Sequence, residues 1–469
     1  MNKKLKNKGG IIMKDNLNKE IKNNREYKKG KITILQFLEI AVNQFYHSKL
    51  KLIALIIGTI LLGIILLIIH NLGAEIPNNK ILMLINNILS TNIPSSIISV
   101  ILAILFYIIY VIGLAIPINS NKICEKIYNA GIVNYARGTA IFIASYVNPK
   151  DKNTMIYKFF TNSTMIADWE KNISRIEIYG YIVKDIKKLG NNKILLCLTK
   201  EDLSNPKPKI WSNDYLKKDD IELKVVLGVD AFGNQEIWNM STIPHGLDGG
   251  ESNSGKTTSV KLVLAQAIAL GHNVIIADFK NAIDYEKIWH DKCKIVSTKS
   301  DLLMVLDNLI EEYDIRVKEL LKAGVNNIDN YNKENTIKMK HIILAFDEVA
   351  EVLSVNKKYL SKEEREQLSR IEENIEKIAR LGRMVGIHLL LSTQRPSADL
   401  ISGQTRTNIG YRICFRADEI LSNIILDNKD ASEKIPKNAR GLYISNVNKT
   451  LAQCYWIDDY EKILNNSKH

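Results

Sequence analysis

Cysteine pairs are what this 469-residue sequence most plainly lacks. Cys124, Cys197, Cys293, Cys414 and Cys454 are scattered, with no C-x-x-C among them. That excludes a disulfide framework and a zinc site of ordinary spacing, and leaves buried, reduced thiols of a cytosolic compartment. Charge is missing from two long stretches. Leu52–Ile69 reads LIALIIGTILLGIILLII and Ile97–Ile116 reads IISVILAILFYIIYVIGLAI. At about 1.5 Å per residue the first reaches roughly 27 Å, enough to cross the hydrocarbon of a bilayer. The first run starts too late, and lacks the small-residue cleavage site, for a signal peptide.

What is present is basic. The net charge is +13 and the sequence pI about 9.2. That balance suits a phosphate backbone or an anionic membrane surface. Heavy use of Lys, Asn and Ile, as in AT-rich coding, accounts for part of it. Residues 1–50 carry twelve Lys and Arg, including Lys3, Lys4, Lys6, Lys8, Lys28 and Lys29, whereas the loop 71–96 carries only Lys80. Positive-inside asymmetry therefore predicts a two-pass cell-membrane protein with both termini cytoplasmic. Ile34, Leu35, Leu38, Ala41, Val42 and Phe45 recur at helical spacing before the first span. They mark either a helix lying in the interface or a cytosolic lead-in. KGGIIM, Lys8–Met13, has the look of a translated ribosome-binding sequence, with Met13 as the true start.

Four regions are expected: a basic cytosolic segment 1–51, two spans with a short external loop over 52–118, a small cytosolic α/β or β-rich module 119–224, and an α/β domain 225–469. In the module, Ile173–Ile186 alternates in part, LGNN at Leu189–Asn192 gives a turn, and KILLCLT at Lys193–Thr199 returns as a strand. Pro206 and Pro208, within SNPKPKIW, mark a linker.

The α/β domain carries the chemistry. GESNSGKT, Gly250–Thr257, fits G-x-x-x-x-G-K-[ST]. Backbone N–H groups of such a loop and the following helix N-terminus hold phosphate, and glycines allow the close approach. The candidate ATP-binding residues are Gly250, Glu251, Ser252, Asn253, Ser254, Gly255, Lys256, Thr257 and Thr258. Lys256 is placed to reach the β- and γ-phosphates, and Thr257 to ligate Mg²⁺. The helix after the loop is clear over Lys256–Leu270, but the strand before it, HGLDGG, is interrupted by Asp248. NVIIAD (Asn273–Asp278) and HIILAF (His341–Phe346) read as buried parallel strands. The second ends in Asp347-Glu348, a metal-holding acid and a residue to orient and deprotonate water. IHLLLST, Ile387–Thr393, is a further strand, ending at Gln394, which can sense the γ-phosphate. Strands alternating with helices predict a P-loop (RecA-like) ATPase domain with a doubly wound, mainly parallel sheet, its site at the strand C-terminal ends.

With these pieces, IPH at Ile243–His245, IIADFK, FDEVAEVL and above all GRMVGIHLLLSTQRPSADLISGQTRTNIGYRICFRA (Gly382–Ala417), residues 225–460 resemble the FtsK/SpoIIIE family of DNA-pumping ATPases. The resemblance implies a homo-oligomeric ring, a hexamer, that moves DNA with ATP and Mg²⁺. By motif position Arg383 is an arginine finger for the neighbouring subunit, or else a cation capping its helix. Arg395 and Arg406 match positions near the DNA backbone, or are solvated charges. Asn253 stands where the family usually has Gly; Asn tolerates the left-handed conformation. The short chain beyond the last core strand is expected to hold no winged-helix reading module. Two spans without that module resemble the coupling proteins of Gram-positive conjugative plasmids and integrative elements, with a relaxase and transfer-channel proteins as partners. The alternatives are a chromosome or septal translocase of the same family, a protein-secretion ATPase, and a scaffold with an inactive site.

Overall fold

The computed structural model describes residues 32–72, 95–218, 221–280, 283–353, 359–394 and 403–465. The basic residues before 32, KGGIIM, most of the expected external loop and Arg395 lie outside the described residues. The described residues form two compact units, divided between Lys200 and Glu201.

In the first unit, helix Ile34–His47 opens with a capping box between Thr33 and Gln36. Ile40 and Gln44 are buried, and Gln44 Nε2 donates to the Ile143 carbonyl at 2.8 Å. Leu35, Val42 and Tyr46 lie on its exposed side. The uncharged runs become helices Lys49–Leu72 and Ser95–Ala115, both long and apolar enough to cross a membrane. They meet through Gly58: a Cβ there would lie 2.4 Å from the Tyr110 ring. Small residues allow such close helix approach. Tyr110 then donates to the Ala54 carbonyl at 2.6 Å, and the Thr59 and Tyr107 hydroxyls meet at 2.8 Å.

A five-stranded antiparallel sheet follows, in the order β1-β2-β5-β4-β3: β1 Ile141–Val147, β2 Thr154–Phe160, β3 Glu177–Ile178, β4 Tyr181–Leu189 and β5 Lys193–Thr199. Phe142, Phe159, Trp169, Ile178 and Leu196 form its core with Ile127 of helix Ser120–Asn129. Ile173–Ile186, expected as one alternating stretch, is broken. Tyr179 and Gly180 both take positive φ, 53° and 77°, and turn β3 into β4. Two successive positive φ values are what a tight hairpin turn of matching twist requires.

The second unit begins at Glu201 rather than at the expected 225. The reason is a strand pairing: β6, Lys209–Ile210, runs parallel to Tyr455–Trp456, 246 residues on. The segment read as a linker therefore belongs to the sheet of this unit. The remaining strands are β7 Lys224–Asp230, β8 Gln235–Asn239, β9 Gly246–Gly249, β10 Asn273–Ala277, β11 Lys294–Val296, β12 Ile342–Phe346, β13 Ile387–Thr393, β14 Tyr411–Phe415, β15 Leu442–Ser445 and β16 Leu451–Trp456. They run β11-β10-β12-β13-β9-β14-β15-β16-β7-β8. From β11 to β14 every pairing is parallel; from β14 to β8 every pairing is antiparallel.

The parallel half is doubly wound. Along β12, Ile342, Leu344 and Phe346 join one core, with helices Lys299–Ala323 and Lys362–Val385. Ile343 and Ala345 join the other, with helix Lys256–Ala269. Both faces of β12 are covered, which is why its sequence is a continuous apolar run. Full burial of each Leu, Ile or Phe side chain contributes about 1.5–3 kcal/mol. β9 is a full member of the sheet, between β13 and β14, although Asp248 was expected to interrupt it. Its glycines are dictated by packing: a Cβ on Gly246 would lie 2.5 Å from the Trp238 ring and one on Gly249 2.3 Å from Ile425.

Candidate nucleotide-binding site

β9 delivers the chain into the loop 250–255, and helix Lys256–Ala269 leaves from it. Gly250 and Gly255 take φ of 156° and 120°; a Cβ would stand 2.8 Å from Phe415 Cβ at the first and 3.0 Å from Gly441 at the second. Asn253 takes φ 58°, the left-handed conformation open to Asn. Lys256 is buried, and its Nζ donates to the carbonyls of Gly250 at 2.6 Å and Glu251 at 2.8 Å. Burial lowers its pKa to about 8, against the pull of Glu348, Asp347 and Asp248.

The acidic end of β12 stands beside this loop. Glu348 is buried and accepts at Oε2 from the Gln394 backbone N–H at 3.0 Å. Ser252 Oγ in turn bonds Gln394 Oε1 at 2.5 Å. Loop, acid and strand-end glutamine thus form one hydrogen-bonded chain across β9, β13 and β12. Asp347 lies 3.5 Å from Lys280 Nζ through Oδ2. Its pKa is raised, chiefly by burial, with Asp278 and Asp284 adding to it and Lys280 opposing. Asp347 Oδ1 and Asp278 Oδ2 are buried without a hydrogen-bond partner among the described residues. Two orphaned carboxylate oxygens at the ends of neighbouring strands fit a divalent cation, and so do the donors Thr257 and Asp347.

Several residues of this site were not among the expected site residues. Arg416 braces the loop, donating to Glu251 Oε2 at 3.0 Å and to the Ser252 carbonyl at 2.8 Å. Gly441 N–H donates to the Ser254 carbonyl at 2.8 Å. The cleft over the loop encloses about 620 Å³ and is lined by Lys256, Thr257, Thr258, Asp284 and Lys280, but also by Pro206, Pro208, Arg440 and Trp456. Behind the loop Asp248 is buried, its Oδ2 without a hydrogen-bond partner among the described residues, and burial raises its pKa to about 7 against the opposing influence of Ser259 and Lys256.

Arg383 is not brought to this cleft. It sits in the last turn of helix Lys362–Val385, just before β13 begins, and donates to the carbonyl of Ser241, which precedes β9. The phosphate loop follows the far end of β9, so the two lie at opposite ends of the parallel strands. Arg383 lines a separate pocket of about 540 Å³ with Asp329, Lys333 and Arg380. Arg406, on helix Gly403–Asn408, shares Asp427 with Arg412, at 4.0 and 2.8 Å.

A glycine-rich loop between strand and helix, its lysine, and an acidic pair ending a strand two places away in the sheet define a P-loop nucleotide-binding domain. The model of the FtsK/SpoIIIE family matches residues 209–398 of this chain. It is 29% identical over 227 residues to the DNA translocase SftA of Bacillus subtilis, covering 46% of this chain and 23% of that protein. It is 25% identical over 247 residues to the DNA translocase FtsK of Streptomyces avermitilis, covering 48% and 26%. The chain thus spans about a quarter of the length of these relatives. Its fold matches the solved monomer of the pCW3 conjugation coupling protein TcpA with ATPγS, at 25% identity and a TM-score of 0.54, over 74% of this chain and all of that one.

Proposed function

We propose that this protein is a membrane-anchored ATPase that translocates DNA, and that it serves as the coupling protein of a conjugative transfer system. The observation that carries the reading is the hydrogen-bonded chain from Ser252 through Gln394 to Glu348, beside buried Lys256 and Asp347. The likeness to TcpA, which takes in most of this chain, favours conjugation over a chromosomal role. The expectation of two spans with both termini inside is consistent with the two apolar helices.

Each residue has a part in ATP hydrolysis. The loop N–H groups and the N-terminus of helix Lys256–Ala269 hold the phosphates. Lys256, now bonded to loop carbonyls, exchanges them for phosphate oxygens. Thr257 and Asp347 would hold Mg²⁺, which would offset phosphate charge. Glu348 orients a water and takes its proton, and Gln394, tied to both Glu348 and Ser252, reports the phosphate state to β13. Arg383, outside its own cleft, completes the cleft of the next subunit in a ring, neutralising charge that develops there. Arg406 and Arg395 contact the DNA backbone without reading sequence. A relaxase and channel proteins supply substrate choice and destination.

The test is turnover by the purified full chain with Lys256→Ala and Glu348→Gln. Both should abolish hydrolysis, and only the first should abolish ATP binding. Undiminished hydrolysis in Glu348→Gln would overturn this assignment.

A further inference from the structure

The phosphate end of the cleft is explained by the loop, but the rest of its wall is not. Four of the five tryptophans, Trp169, Trp211, Trp238 and Trp289, are buried, whereas Trp456 is 50% exposed and faces the cleft wall. We propose that the base of the bound nucleotide stacks on Trp456 against the Pro206–Pro208 segment, making this rim a base subsite. The inference rests on the reading of this cleft as the ATP site.

The backbone puts Trp456 within reach. Gly441 donates to the Ser254 carbonyl of the loop and accepts from Cys454 N–H, each at 2.8 Å. β16 is therefore two hydrogen bonds from the phosphate loop. Trp456 lies two residues beyond Cys454, about 7 Å further along the strand and on the same side of it. Cys454 itself lines the cleft.

The rim is also held rigidly. Trp211 N–H donates to the Trp456 carbonyl at 2.9 Å, and β6 pairs with Tyr455 and Trp456. Gln453 Nε2 donates to the Lys207 carbonyl at 2.6 Å, fixing the residue between the two prolines. Proline locks its own φ, so this segment loses little freedom when a base closes on it. An indole face offers stacking to any nucleobase, with the larger purines gaining most.

The experiment uses the detergent-solubilised full chain and two probes, ATPγS and inorganic tripolyphosphate, in equilibrium binding. Trp456→Ala should weaken ATPγS about ten-fold, the scale of base–aromatic stacking, and leave tripolyphosphate unchanged. Trp456→Phe should restore most of the affinity. Unchanged ATPγS affinity in Trp456→Ala, or an equal loss for both probes, would overturn the base subsite while leaving the phosphate site standing. A parent protein that binds neither probe would overturn the ATP reading and the subsite with it.

Discussion

Replacing Asp248 by Asn should stabilise the protein, and more so at high pH. The carboxyl is fully buried in a central strand, and burial raises its pKa from 3.8 to about 7. The folded state then holds the proton more tightly than the unfolded chain. Stability is full below pH 3.8 and is lost as pH rises toward 7, the loss being complete above it. A gap between 3.8 and about 7 corresponds to about 4 kcal/mol at pH 8 and about 2 kcal/mol at pH 5.5. Asn keeps the shape and cannot ionise. Its advantage over the parent should grow by about 2 kcal/mol between pH 5.5 and pH 8, or about 4–8 °C in Tm for a unit of this size. Four histidines, the buried His245, His341 and His388 and the half-buried His272, have pKa values lowered by burial. They subtract stability as pH falls, equally in both proteins, and cancel in the difference. Scanning fluorimetry of both proteins at the two pH values reads it. A difference that does not change with pH, or an Asn variant less stable at pH 8, would show that the carboxylate is ionised and paired in the fold.

Other perturbations bear on the site. Arg416→Ala removes the bonds to Glu251 and Ser252 and should raise the KM for ATP three- to ten-fold with kcat little changed, in steady-state ATPase assays. Gly255→Ala sets a Cβ 3.0 Å from the Gly441 backbone at φ 120°, and should abolish ATP binding by calorimetry while leaving the far sheet edge folded. Arg383→Ala and Lys256→Ala subunits should each be inactive alone and regain ATPase activity when mixed. A mixture that stays dead argues against action between subunits.

The parallel strands β10, β12 and β13 were legible because burial on both faces leaves long apolar runs: NVIIAD, HIILAF and IHLLLST. Their C-terminal residues Asp278, Asp347, Glu348 and Gln394 were legible with them, since position at a strand end follows from the run. β9 was not, because four residues with two packing glycines and a buried acid carry no apolar signal. The Tyr179-Gly180 turn was hidden by continuing alternation on either side. β6 and Trp456 owe their places to partners far away in sequence, so no local pattern marks them; Arg416 and Gly441 lie in stretches that match the family, but their bonds to the phosphate loop do not follow from that match. SNPKPKIW reads as a linker by its prolines; only pairing with β16 makes it a wall of the cleft.

The most direct test of DNA-driven motor activity is ATP hydrolysis by the full chain in lipid nanodiscs, with linear duplex, single-stranded DNA or no nucleic acid, across a salt series. Strong stimulation by duplex DNA, falling steeply with salt as released counterions require, is the expected result. Hydrolysis indifferent to DNA at low salt, in assemblies shown to be rings, would contradict it and point to a polypeptide as the substrate.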